Sequence, residues 1–182
     1  MACPAGGMNY NKDGDKGRLL MVKDVKAFRE NRVGALPDEF VLKKKIVAFP
    51  NDIKYKGLVI VDNIEFSTNC EHHAVAIEGL MHVGYIPNKL LIGLSQVARI
   101  IESRANVTTM TIQERLNQEV ADELNKILKP EGLIVIIIAR HNCMTARGVR
   151  QRNSQTTTSC IRGKFDGDLR MEFFQLLNLR RK

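Results

Sequence analysis

The chain has 182 residues, 44% hydrophobic and 26% charged, values that fit one globular domain with a full core and exclude a disordered chain. Lysine and arginine number 28 against 20 acidic residues, a formal charge of +8 that suits nucleic acid or an anionic small molecule. The aromatics are few and do not interleave with the basic residues, which argues against a nucleic-acid stacking platform, and no apolar run approaches the roughly 20 residues of a membrane helix.

In chain order, residues 1–18 are rich in Gly, Asn, Asp and Lys and lack the apolar stretch of a signal peptide. The expected location is therefore cytoplasmic, where Cys3, Cys70, Cys143 and Cys160 are thiols or ligands rather than disulfides. Leu19 to Asn31 reads as a short helix with a weak apolar stripe, ended by Gly34 and Pro37, so residues 1–39 form a tail and helix ahead of a domain at 40–182. VLKKKIVAF, GLVIVDNIEF, HAVAIEG and LMHVGYIP read as strands divided by Pro50, Asn51 and Gly79. Leu90, Leu91, Leu94, Val97, Ala98 and Ile101 form one helical stripe, and Ile112, Leu116, Val120, Leu124, Ile127 and Leu128 a second, stopped by Pro130 and Gly132. LIVIIIA is an apolar strand buried on both faces or in an assembly, TTTSCIRGKF a further strand, and LRMEFFQLL a closing helix or strand. Strands, two helices, then strands is an α+β order. A sheet with a helix pair on one face leaves its edges open, which multi-subunit barrel closure would resolve.

Chemistry gathers in two places. Cys70-Glu71-His72-His73 follows one strand, and His141-Asn142-Cys143 follows the apolar strand. A Cys-x-x-His turn can aim a thiolate and an imidazole at one ion, and a thiolate from a separate strand end adds a third ligand. Three Cys/His ligands with one open position make a catalytic zinc site, leaving His72 and His141 to move protons. Spacing alone also fits buried structural cysteines. His82 lies within a strand and Cys160 on another, and both read as packing residues.

STNCEHHAVAIEGLMHVGYIP, IGLSQVARI, IQERLNQEVADEL, ARHNCMTARGV, SQTTTSCIRGKF and MEFFQLL, in that order, resemble the GTP cyclohydrolase I family, collinearly from about Val41 to Leu177. The resemblance implies a tunnelling fold, an antiparallel sheet with two helices on one face, whose sheets close into a multi-subunit barrel. Its usual assembly is a homo-oligomer, a decamer of pentamers stacked face to face with active sites at subunit borders. It implies zinc on Cys70, His73 and Cys143, proton transfer by His72 and His141, and a guanine compound held by Glu114. Gln113, Ser95, Arg99 and Arg147 match further substrate positions. The implied reaction is addition of water to carbon 8 of the purine, protonation of the departing ring nitrogen, release of formate, and, with GTP, closure to a dihydropterin triphosphate. Neither nucleic acid nor membrane is an expected partner.

The departures concern the phosphate end. Gln96 stands where the family has lysine in GLSK, the Thr-Pro-x-Arg motif is absent from residues 1–40, and SRANVTTMT replaces an arginine-rich segment. Each lost charged phosphate contact costs about 1.5–3 kcal/mol. A guanine compound with fewer phosphates, or guanine itself, is therefore an alternative substrate, giving a pyrimidine and no pterin. Two other classes compete: a non-catalytic purine-binding ring protein, and the related nitrile reductase, with a cysteine nucleophile and a nicotinamide cofactor.

Overall fold

A computed structural model describes Ile46 and residues 48–179. The expected helix at residues 19–31, the boundary at 39/40 and most of VLKKKIVAF lie outside the described residues.

Two long strands rich in β-branched residues form the first hairpin. Strand β2 (Val59–Cys70) runs antiparallel to β3 (Ala76–Ile86), in register from Val59↔Tyr85 to Asn69↔Ala76. The register shifts between Val61 and Ile64, where Asn63 takes a left-handed φ of 55° and bulges the strand. Strand β6 (Gly132–His141) lies antiparallel on the other side of β3, and β7 (Thr156–Gly163) antiparallel beside β6. A two-residue strand, β5 (Met110–Thr111), pairs in parallel with the end of β2, giving the order β5-β2-β3-β6-β7. Strands β1 (Ala48–Pro50) and β4 (Leu90–Ile92) form a small separate ladder.

Helices α1 (Leu94–Arg104) and α2 (Gln113–Leu128) cover one sheet face. Val97, Ile100 and Ile101 of α1 and Leu116, Val120, Leu124 and Leu128 of α2 share a core with Met81, Val83, Leu133, Val135 and Ile137. A single turn, α3 (Asn142–Thr145), follows β6, and α4 (Gly167–Leu179) closes the described chain. Ile134 and Ile136 point to the opposite face, where they bury against Phe165 and Phe173. The α+β class and the helix pair on one face are those expected.

The structure corrects three details and decides a fourth that the sequence left open. Gly79 does not divide two strands but lies within β3. A Cβ there would meet the Ile138 carbonyl and stand 2.7 Å from Ala139 Cα, so glycine permits the close passage of β6. Leu90 belongs to β4, while Leu94, 66% exposed, and Ala98 face away from the core; α1 buries only the later part of the expected stripe. The β2–β5 pairing is parallel, so the sheet is mixed rather than wholly antiparallel. The second face of LIVIIIA is covered partly within the chain. Phe173 is fully buried over Gly84, whose missing side chain makes room, since a Cβ would meet Phe173 Cδ2 at 2.6 Å.

Candidate metal centre and active site

Register brings the two chemical clusters together. Ile77 of β3 pairs with Thr68 of β2 on one side and with His141 of β6 on the other. Cys70 lies two residues beyond Thr68 and Cys143 two beyond His141, so the parallel-running strands β2 and β6 deliver both thiols to the same end of the sheet. The turn after β2 is held by its backbone. The Cys70 carbonyl accepts from the N–H groups of His73 (3.3 Å) and Ala74 (2.8 Å), and Cys70 N–H donates to Val75 O at 2.8 Å. Ala74 takes φ 52° to close it. This places His73 Nδ1 3.7 Å from Cys70 Sγ.

The donor atoms of Cys70, His73 and Cys143 all lie within 4.8 Å of one another. Tetrahedral zinc ligands at about 2.0–2.3 Å from the ion stand roughly 3.3–3.8 Å apart, so two thiols and an imidazole in this arrangement fit zinc. Burial, then the adjacent Cys70 thiol, pushes the Cys143 thiol up, against smaller lowering by its own backbone and by Arg147. Two neighbouring sulfurs resist ionising together, and a cation between them reverses that preference.

Beside the donors, the exposed His72 ring lies 6.2 Å from His73, edge to face. His141, half-buried, has Nε2 2.8 Å from Gln113 Oε1. Burial holds its imidazole below the ordinary range, with the Glu114 carboxylate opposing by a smaller electrostatic effect. Glu114 is exposed in the first turn of α2, where the positive end of the helix favours a carboxylate. Arg147 is exposed just past α3 and acts electrostatically on Cys143. Ser95 and Arg99 lie on α1, and among the described residues no hydrogen bond or ion pair links them to the donor cluster. Gln96 donates from Nε2 to Ser95 Oγ at 3.3 Å.

Three features escaped the sequence. Gln113, expected as a substrate contact, is 1% exposed with its amide bonded to β6, β7 and His141. Arg115 forms an ion pair with Glu71, tying the Cys70–His73 turn to α2. The SRANVTTMT segment forms β5 and braces the same turn: Glu71 N–H donates to Thr111 O at 3.0 Å, Asn69 Nδ2 to Val107 O at 2.7 Å, and Thr68 Oγ1 meets Thr109 Oγ1 at 2.8 Å. Its run of Thr and Asn, residues that bond nearby backbone, was the available signal. His82 and Cys160 are buried in strands; His82 Nδ1 accepts from Asn63 N–H at 3.3 Å.

A family profile described as GTP cyclohydrolase I matches residues 24–178. Relatives described as GTP cyclohydrolase 1 include that of Campylobacter curvus, 43% identical over 66% of this chain and 64% of its own. The Saccharomyces cerevisiae relative is 46% identical over 68% and 50%, and the Hydrogenobaculum one 40% identical over 80% and 81%. The chain thus spans less than two thirds of the first curated relatives it matches, 64% of the Campylobacter curvus protein and 41% of the Neurospora crassa one. A solved structure of the archaeosine synthase QueF-Like in the apo form aligns with TM-score 0.49 and 12% identity over 59% of this chain and 94% of that one, a likeness too distant to bear on activity.

Proposed function

The chain belongs to the GTP cyclohydrolase I family, and from that premise we propose that it is a zinc-dependent hydrolase that opens the imidazole ring of a guanine compound at carbon 8 and releases formate. The observation that carries this reading is the convergence of the Cys70, His73 and Cys143 donor atoms within 4.8 Å, at the strand end that also bears His141. Zinc held by these three residues supplies a water made nucleophilic near neutral pH. His141 and His72 take a proton from the attacking water and return one to the departing ring nitrogen. Glu114 accepts from guanine N1–H and the exocyclic amine, a charge-assisted pair of hydrogen bonds. Ser95, Arg99 and Arg147 serve the ribose and phosphate end.

GTP, yielding a dihydropterin triphosphate, is the substrate that family membership favours. A guanine compound with fewer phosphates is favoured by one observation: the amide of Gln96, not an ammonium, stands beside Ser95 at the start of α1. The assembly we propose is a homo-oligomer, by family a decamer of stacked pentamers. Among the described residues no strand pairs with the outer edge of β7 or with β2 beyond its pairing with β5, which supports this assembly, because open edges recruit further strands. The described cysteines Cys70, Cys143 and Cys160 are free thiols, which suits a reducing cytoplasm. Among the described residues no helix is long and apolar enough to cross a membrane.

The test is mass spectrometry of products, with a formate assay, after incubating zinc-loaded protein with GTP, GMP, guanosine and guanine. Formate and a ring-opened or pterin product from at least one substrate supports the reading. Unchanged substrates from fully metallated oligomer would leave the purine-binding ring protein as the better reading.

A further inference from the structure

Gln113 is the first residue of α2, and its side chain is enclosed between that helix and strands β6 and β7. Its Nε2 lies 3.3 Å from Ile137 O, 3.0 Å from Thr156 O and 3.2 Å from Thr158 Oγ1. Two of these partners are carbonyls, which can only accept. The amide NH2 must therefore face the strands, because the flipped amide would press its oxygen against two carbonyl oxygens in a buried site. With the NH2 fixed, Oε1 faces His141 Nε2 at 2.8 Å. An amide oxygen only accepts, so the hydrogen in that contact belongs to His141 Nε2. Asn117 strengthens the frame by donating from Nδ2 to Thr158 Oγ1 at 3.0 Å.

We propose that Gln113 is a positioning residue rather than a substrate contact: it holds His141 as the Nε2–H tautomer and so makes Nδ1 the nitrogen that exchanges protons. The inference rests on the reading of His141 as an acid–base group. Nε2–H is present in both the neutral and the protonated ring, so the Gln113 contact persists through the cycle. Nδ1 takes a proton from the attacking water, and the same nitrogen gives a proton to the departing ring nitrogen. No proton need leave the buried side of the imidazole. The third-party carbonyls make this arrangement one-way, since reversing the tautomer would require turning an amide held by the backbone of two strands.

The experiment has two arms. Nitrogen-15 NMR of histidine-labelled, zinc-loaded protein, with His141 assigned by its loss in His141→Ala, reads the tautomer without any turnover. The expected pattern for the neutral ring is a protonated Nε2 and a bare Nδ1; a protonated Nδ1 overturns the proposal. Kinetics with GTP then compare Gln113→Leu, which removes both the acceptor and the strand-bound amide, and Gln113→Asn, which keeps an amide at shorter reach. Gln113→Leu should lower kcat about 10- to 100-fold with KM within about threefold and metal content unchanged, and Gln113→Asn should recover part of kcat. A raised KM with unchanged kcat would return Gln113 to the substrate and overturn the proposal. If wild type opens no purine ring at all, the functional reading fails, while the NMR arm still decides the tautomer.

Discussion

The ion pair between Arg115 and Glu71 allows stability and metal binding to be separated by one substitution. Both side chains are largely solvent-exposed, 49% and 41%. Water and salt screen such a pair, and its contribution to folding is about 0.2–1 kcal/mol. For a chain of this size Arg115→Met should shift the melting temperature of metal-free protein by no more than about 4 °C. The effect on the metal differs because Glu71 lies between two of the proposed ligands, Cys70 and His73. Releasing its side chain does not release the turn, which keeps the Glu71 N–H bond to Thr111 O at 3.0 Å and the three backbone bonds within Cys70–Val75. A partner that steadies ligands from outside the coordination sphere is worth about 10- to 100-fold in affinity, and with the backbone still in place the low end, about tenfold, is expected. Competition against a fluorescent zinc chelator measures it. Glu71→Gln should produce the same weakening, and the double variant no more than either single one, because both remove one interaction. Unchanged zinc affinity in Arg115→Met, or singles whose effects simply add, would refute the brace. So would a melting loss of 10 °C or more, which would make the pair part of the fold.

Further outcomes follow from the same geometry. Purified protein should carry one zinc per chain by elemental analysis, lose it to strong chelators, and bind none in Cys143→Ala, which leaves two ligands; full metal content in that variant would remove Cys143 from the site. Glu114→Ala should leave metal content intact while lowering kcat/KM for every guanine substrate by about 100-fold or more, since two base donors lose a charged acceptor; a change confined to GTP would place Glu114 at the phosphates instead. Gln96→Lys should raise kcat/KM for GTP relative to guanosine by roughly tenfold or more, the worth of one charged contact to phosphate. A wild type that already prefers GTP a thousandfold, with no gain from lysine, would show the phosphate end to be complete without it.

The sheet and its two covering helices were legible because their signals are periodic and long. The stripe from Leu116 to Leu128 survives almost unchanged as the buried face of α2, and the apolar run Leu133–Ile137 is buried through its length. What was not legible depends on partners distant in the chain. Gly79 looks like punctuation in sequence, yet it is the place where β6 passes too close for a side chain. Gly84 and Phe173 are 89 positions apart, and only the fold makes one the socket of the other. Leu90 and Leu91 fit a helical period, but the partner strand β1 claims them for a ladder, in register Phe49↔Leu91 and Pro50↔Leu90. Tertiary pairing outweighs a short local pattern.

At the site, the donors were legible because Cys-x-x-His and His-x-Cys name their chemistry, and their convergence needed only two strands ending together. The residues that hold those donors were hidden by their own polarity. Gln113 precedes Glu114, and in a sequence both look like contacts for a polar ligand at a helix start. Burial separates them: Gln113 is 1% exposed with both amide atoms bonded to protein, whereas Glu114 is exposed and acts on His141 electrostatically. The same division applies to Glu71 and His72, adjacent in the turn, one bound to Arg115 and the other left in solvent beside His73. A chemical motif therefore contains two populations, groups that act and groups that aim them, and hydrogen-bond saturation tells them apart. At this site that criterion assigns aiming to Gln113, Glu71 and Arg115. Among the described residues it leaves Glu114, His72 and the Nδ1 of His141 with capacity for the proposed base contact and proton transfers.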